Sequence, residues 1–171
     1  LITTTLAKAG AMEITEETLG TLEALIDPKI GAEVAGKVVQ VLAGAGKAVS
    51  KGDLLAIIDD ADIALQHRAD EADRKRAEAL LAQQERVVER QQQLVQKGVI
   101  SQNAADDARA QRDALRQQVA AAGARGDLSR RNQGKARVLA PFGGMVETQI
   151  VSAGDYVKVG DRMLRIESFL E

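Results

Sequence analysis

The sequence predicts an α+β fold in which a small β domain is interrupted by a long antiparallel helical hairpin. The stretch Ile30–Asp59 recurs as Val138–Glu167, 108 positions further along the chain, and both copies have the pattern of short strands separated by turns. The segment between the copies has helical composition and a seven-residue apolar spacing. Aromatic residues make up only 2% of the chain, which favours a small core joined to an elongated part.

The two copies align without a gap, and strand residues and turn glycines stay in register. The identical pairs are Ala32 and Ala140, Gly36 and Gly144, Val38 and Val146, Ala45 and Ala153, Gly46 and Gly154, Val49 and Val157, Gly52 and Gly160, Asp53 and Asp161, and Ile58 and Ile166. A motif of this size cannot bury its own apolar face. We therefore expect the two copies to pack together as one flattened β-sandwich.

Glycine and aspartate residues at matching positions predict the turns of both copies. Gly46 and Gly154 suit bends that need a positive φ. The Gly-Asp pairs at 52–53 and 160–161 are typical of tight turns that precede a strand. In all, we expect structural turns at Gly36, Gly46, Gly52, Asp53, Gly144, Gly154, Gly160 and Asp161.

The segment between the copies predicts two helices joined by a short break. Residues 62–97 contain no Gly or Pro and are rich in strong helix formers. Their apolar residues recur seven positions apart, which predicts a seam of two adjacent columns: Leu80, Val87 and Leu94, and Leu81, Val88 and Val95.

Gly98 interrupts this first helix, and Ser101 stands where the N-cap of a second helix is expected. The second helix is predicted to run from about residue 102 to about residue 131. Its seam comprises Ala108, Leu115 and Ala122, with Val119 beside it. Gly123 and Gly126 predict fraying or a bend in its last turns, because glycine is a poor helix former. Two seamed helices with a short break between them imply an antiparallel hairpin.

Charge and composition argue against several functions. A net charge of -2 disfavours a nucleic-acid partner, and the absence of Cys excludes disulfides and thiolate sites. His67 is the only histidine and is expected at the surface of the first helix. Asp59, Asp60 and Asp62 precede that helix, where the macrodipole favours carboxylates without any metal. We therefore expect no catalytic residue, no metal and no cofactor.

The segments Val34-Ala-Gly-Lys-Val38 and Ala140-Pro-Phe-Gly-Gly-Met-Val146 resemble the two lipoyl half-motifs of membrane fusion proteins of the HlyD and RND type. These proteins are the periplasmic adaptor subunits of tripartite efflux pumps. In that family a coiled-coil hairpin is inserted between the halves. Its tip carries an Arg, a Leu four residues on and a Ser seven residues beyond, and the matching residues here are Arg90, Leu94 and Ser101.

The resemblance covers about residues 18–167 and implies a truncated adaptor with a lipoyl-like barrel-sandwich hybrid domain. Residues 1–27 are then partial strands of a β-barrel or membrane-proximal domain, 28–59 the first half-motif, 60–137 the hairpin, 138–168 the second half-motif, and 169–171 a tail or cloning scar. The implied partners are an outer-membrane channel, an inner-membrane transporter and further copies of the chain, commonly six. The implied location is the periplasm, with an inner-membrane anchor in the full-length protein.

Two other functions fit parts of the pattern. True lipoyl and biotinyl carrier domains have a modified Lys on the turn between their halves, but here residues 58–61 lead directly into a helix without a Lys. Adaptors of type I protein-secretion systems share the architecture, although their hairpins are usually much longer. A periplasmic efflux adaptor is therefore the favoured function, and the secretion adaptor is the alternative.

Overall fold

The computed structural model describes residues 29–168, so the expectations for residues 1–27 and 169–171 lie outside it. The described part is a β-sandwich from which a helical hairpin extends. In chain order its elements are β1 (Lys29–Gly31), β2 (Gly36–Val41), β3 (Ala48–Val49), β4 (Leu54–Ile58), α1 (Ala61–Gln96), α2 (Gln102–Gly134), β5 (Arg137–Leu139), β6 (Gly144–Gln149), β7 (Tyr156–Val157) and β8 (Arg162–Ser168). The α+β prediction is confirmed.

The two sequence copies exchange strands to form two antiparallel sheets. One sheet has the order β1-β8-β6-β3, and the other has the order β5-β4-β2-β7. Each sheet therefore takes two strands from each copy. The strands β1 to β4 begin 108 positions before β5 to β8 respectively, so the sandwich has an approximate two-fold relation between its copies. Neither copy forms a complete sheet alone, which explains why the repeat occurs as a pair.

The core of the sandwich is aliphatic. Its most deeply buried large side chains come from both copies and both sheets: Val38, Leu55, Ile58, Val146, Val157, Met163, Leu164 and Ile166. Such β-branched and aliphatic residues pack well between sheets, where alternate residues of each strand point inward. A core of this kind needs no aromatic residue, in keeping with the composition of the chain.

Four of the expected turn glycines adopt the left-handed backbone. Gly46 and Gly154 have φ values of 84° and 100°, and Gly52 and Gly160 have values of 90° and 91°. The aspartates beside the second pair close the turns. A carboxylate oxygen of Asp53 accepts the Ser50 N–H at 2.8 Å, and Asp161 accepts the Lys158 N–H at 2.7 Å.

Gly36 and Gly144 have a different structural role from the turn role expected of them. They begin β2 and β6, and neither has a positive φ. A Cβ at Gly36 would lie 2.7 Å from Ile58 Cγ2, and one at Gly144 would lie 2.8 Å from Ile166 Cγ2. Both positions favour glycine because the partner strand passes close to them, and at Gly144 the main chain of that strand leaves no room for a side chain.

The helices α1 and α2 pack along their length as the predicted antiparallel hairpin. At 1.5 Å per residue, the 36 residues of α1 extend about 54 Å. Ala77 and Val88 are buried in α1, and the buried residues of α2 are Ala105, Ala108, Ala122, Gly126 and Ser129. Among the described helices, none is long and apolar enough to cross a membrane.

Two details of the predicted hairpin were wrong. Leu80 is 42% exposed and lies outside the seam, whereas Val87 and Leu94 of the same column are half-buried, as are Leu81 and Val95 of the other. The expected fraying at Gly123 and Gly126 is also absent, since α2 continues to Gly134. Gly126 is buried against α1, and a Cβ there would lie 2.8 Å from Glu71 Oε1. The glycine thus permits close packing of the helices near the hairpin base.

Candidate functional site

The hairpin tip is a short, ordered turn between the two helices. Gly98 has a φ of 71°, and its N–H donates to the Val95 carbonyl at 2.9 Å. The Val99 N–H donates to the Leu94 carbonyl at 2.9 Å. This pair of hydrogen bonds is the Schellman arrangement, which satisfies the carbonyls of the last helical turn. Gly98 supplies the left-handed residue that the arrangement requires.

The three residues singled out from the family motif lie on both sides of this turn. Arg90 is exposed and Leu94 half-buried in the last two turns of α1, while Ser101 is exposed immediately before α2. Arg90 has no salt bridge or side-chain hydrogen bond within residues 29–168. Its guanidinium group is therefore available to donate hydrogen bonds to a partner's carbonyl or carboxylate oxygens.

Ser101 occupies the N-cap position with extended backbone angles, φ −76° and ψ 154°. Its hydroxyl nevertheless makes no capping hydrogen bond; only its carbonyl accepts the Ala104 N–H, at 3.2 Å. The side chain thus does not perform the capping role that its position suggested. It is left exposed at the tip.

Sequence reasoning missed one tip residue, Val99. It is 65% exposed, more than most apolar side chains among residues 29–168. The apolar columns could not reveal it, because it belongs to neither helix. A signal was present, however, since a glycine after the last helical turn indicates a left-handed helix end, in which the next residue is often apolar.

At the opposite end, hydrogen bonds join the hairpin base to the sandwich. Gln133 donates to an Asp60 carboxylate oxygen at 3.2 Å, and the Ile58 N–H donates to the Ala136 carbonyl at 2.8 Å. Asp59 accepts the Ala61 N–H at 3.0 Å, which satisfies one free donor at the start of α1. The acidic residues at the helix start therefore act in the local hydrogen bonding of this junction.

His67 does not lie free on the surface as expected. It is half-buried between the helices, and its Nδ1 lies 3.2 Å from the hydroxyl of Ser129, which is 6% exposed. That hydroxyl donates to the Gly126 carbonyl at 3.0 Å. Within residues 29–168, no group of three His, Cys, Asp or Glu side chains is arranged to hold a metal ion. His67 therefore belongs to the packing of the hairpin base.

An open cleft of about 430 Å³ lies where the hairpin base meets the sandwich. Its lining combines carboxylates, such as Glu33 and Asp62, with apolar side chains, such as Ile63 and Val159. A second cleft, of about 380 Å³, is lined by basic residues that include Arg131, Lys135 and Arg137. Ser129 lines the first cleft beside His67, but its hydroxyl is buried and donates to the Gly126 carbonyl rather than to the imidazole. It is therefore not presented as an activated nucleophile.

Comparison with protein families identifies the chain. Residues 27–166 match the model of the RND membrane fusion protein (MFP) barrel-sandwich hybrid domain, and the chain belongs to this family. The match includes both half-motifs and the entire hairpin. Among curated proteins, none matches significantly.

Solved structures share the fold. A structure described as an efflux transporter from Bacteroides eggerthii is 30% identical over 85% of this chain, with a TM-score of 0.61. MacA from Actinobacillus actinomycetemcomitans is 21% identical over 85% of the chain, with a TM-score of 0.73. A MacA-MexA chimera that contains the Pseudomonas aeruginosa MexA α-hairpin domain is 28% identical over 85% of the chain, with a TM-score of 0.53. The chain spans only 40%, 50% and 47% of these three structures.

Proposed function

We propose that this chain is the barrel-sandwich and hairpin part of a periplasmic adaptor, which links an inner-membrane efflux transporter to an outer-membrane channel. The observation that supports this function best is the geometry of the hairpin. An arm about 54 Å long ends in an ordered turn, and Arg90 and Ser101 are exposed beside that turn. Such an arm separates a contact site at its tip from the domain that carries it.

In this proposal the tip docks on the helical end of the channel. Arg90 offers a planar set of donors to the channel's carbonyl or carboxylate oxygens. Leu94 supplies a small apolar contact, although part of its side chain is buried against α2. Ser101 donates through a hydroxyl that is not used for capping. The three residues thus combine a charge, an apolar group and a neutral donor near one end of the hairpin.

The remaining assembly follows from the family. We expect the full-length protein to be anchored to the inner membrane, to contact the transporter through domains other than these two, and to assemble side by side, as six copies, in the complete pump. An adaptor acts by binding, so the proposal includes no catalytic step. An adaptor of a protein-secretion system remains the alternative, and arms of 36 and 33 residues favour the efflux pump because secretion adaptors have longer ones.

Binding to the channel tests this proposal directly. The outer-membrane channel of the bacterium that encodes this chain is purified in detergent and immobilised on a biosensor. The full chain is then passed over it. Arg90→Ala and Leu94→Ser should each weaken binding at least tenfold, because a charged and an apolar contact are lost. Circular dichroism should give a nearly unchanged helix signal for both variants, since Arg90 is exposed and Leu94 only half-buried. Wild-type affinity in both variants would count against docking through the tip.

A further inference from the structure

Val99 is the most exposed large apolar residue of the hairpin, and its neighbour Ile100 is half-buried. Val99 lies on the connection between α1, which ends at Gln96, and α2, which begins at Gln102. At 1.5 Å per residue, Arg90 lies about 9 Å and Leu94 about 3 Å back from the end of α1. A partner that approaches the hairpin end-on therefore meets Val99 before it reaches either of the other two residues.

The surrounding hydrogen bonds hold Val99 in place although its side chain faces water. Its N–H donates to the Leu94 carbonyl at 2.9 Å, and the left-handed Gly98 precedes it. In this type of helix end, the residue at the position of Val99 often packs on an apolar residue of the last turn. Here 65% of Val99 remains exposed instead. Its branched side chain has few rotamers, so little freedom is lost when a partner covers it.

The residues around Val99 indicate what kind of surface would fit it. Lys97 and Ser101 are both exposed on the same connection. The ammonium group of Lys97 has no hydrogen-bond or salt-bridge partner among residues 29–168. A complementary surface would therefore offer an apolar notch for Val99, with carboxylate or carbonyl oxygens at its rim for Lys97 and Ser101.

We infer that Val99 is a second apolar contact of the docking tip. This inference rests on the proposed function, because it takes the channel as the partner. It extends that function, because Val99 lies outside the Arg-Leu-Ser pattern. Leu94 is half-buried within the hairpin. It therefore offers a partner less apolar contact area than its position in the Arg-Leu-Ser pattern suggests.

The test compares Val99→Ser with a matched control in the same biosensor assay. Val159 is 68% exposed and lies by the cleft at the hairpin base, far from the tip, so Val159→Ser makes the same chemical change away from the contact. Val99→Ser should weaken binding about tenfold, as expected when two methyl groups leave a buried contact. Val159→Ser should bind like the wild type, and Val99→Ile should retain affinity. All three variants should fold, because both valines are largely exposed.

The outcomes separate this inference from the proposed function. If Arg90→Ala and Leu94→Ser lose binding but Val99→Ser does not, the tip docks without Val99 and the inference is wrong. If Val99→Ser and Val159→Ser weaken binding equally, the loss is not specific to the tip, and the inference is again wrong. If the wild-type chain does not bind the channel, or if every tip variant binds like the wild type, the proposed docking fails and the inference fails with it.

Discussion

Replacing Gly144 with Ala tests the account of the sandwich most directly. A Cβ at Gly144 would overlap with the carbonyl oxygen of Glu167 and lie 2.8 Å from Ile166 Cγ2. Both groups belong to β8, and the main chain of β8 cannot move away without weakening its ladder to β6. Forcing extra atoms into a packed site costs about 1–3 kcal/mol. Because the obstacle here is main chain, we expect a loss of about 3 kcal/mol in the free energy of unfolding.

Gly36 provides the matched control, because it occupies the same position in the first copy. Its added Cβ would lie 2.7 Å from Ile58 Cγ2 and 3.1 Å from the Asp59 carbonyl oxygen. The closest obstacle is one side-chain methyl group, and the nearest main-chain oxygen is further away than at Gly144. We therefore expect Gly36→Ala to cost about 1 kcal/mol, the lower end of the range. Both replacements put Ala at the first residue of an equivalent strand. The intrinsic preference of Ala over Gly therefore cancels in the comparison.

Thermal unfolding checks the difference between the two variants. For a chain of this size, 1 kcal/mol corresponds to about 2–4 °C in Tm, so the two variants should differ by about 4–8 °C. Tyr156 is the single tyrosine and lies on β7, so its near-ultraviolet signal reports on the sandwich, whereas the far-ultraviolet signal reports mainly on the hairpin. Equal melting temperatures of the tyrosine signal in the two variants would refute the argument from the β8 main chain.

Two further predictions concern the hairpin and the symmetry of the sandwich. Gly123→Ala should stabilise the hairpin by up to about 1 kcal/mol, because alanine favours helix and the added Cβ would make only ordinary contacts. Urea titrations followed at 222 nm measure this gain, and a lower urea midpoint than that of the wild type would contradict the account. The double variant Val39→Glu with Ile57→Arg should reproduce on one sheet the ion pair that Arg165 and Glu147 form at 2.9 Å on the other. Its melting temperature should stay within a few degrees of the wild type, since an exposed pair contributes little; a large loss would mean that the two sheets are not equivalent at these positions.

The strands were predictable because each strand of the first copy has a counterpart at the matching position of the second copy. A shift of 108 positions relates β1 to β5, β2 to β6, β3 to β7 and β4 to β8, so a turn recognised in one copy locates its counterpart. The exchange of strands between the copies was not predictable, because alternation along a strand identifies its inner face but not its neighbour. The role of Gly36 and Gly144 was missed for the same reason. Their need for glycine comes from the partner strand rather than from their own backbone angles.

The hairpin was predictable in extent, and its seam was predictable in part. Apolar columns along α1 suggested Leu80, yet the structure leaves it exposed and buries Ala77 instead. The buried residues of α2 are all small, which lets the polar side chains of α1 reach across the interface. Gln84, for example, donates to the Ala108 carbonyl at 3.0 Å. The apolar columns thus predicted the buried Val88, Ala108 and Ala122, but a search for apolar residues cannot detect the buried Gly126 and Ser129.

The position of the hairpin in the sheet explains how so long an insertion fits into so small a domain. The helix α1 follows β4 and α2 leads into β5, and β4 and β5 are paired neighbours in one sheet. The hairpin therefore replaces what would otherwise be a turn between two adjacent strands. The pairing of β4 with β5 already holds the two ends of the hairpin together, so closing the long insertion costs little additional entropy. The backbone N–H and C=O groups of the helices form their hydrogen bonds within the arm. The sandwich consequently needs no additional strand to support the arm, and the residues of the tip can differ between adaptors without disturbing the core.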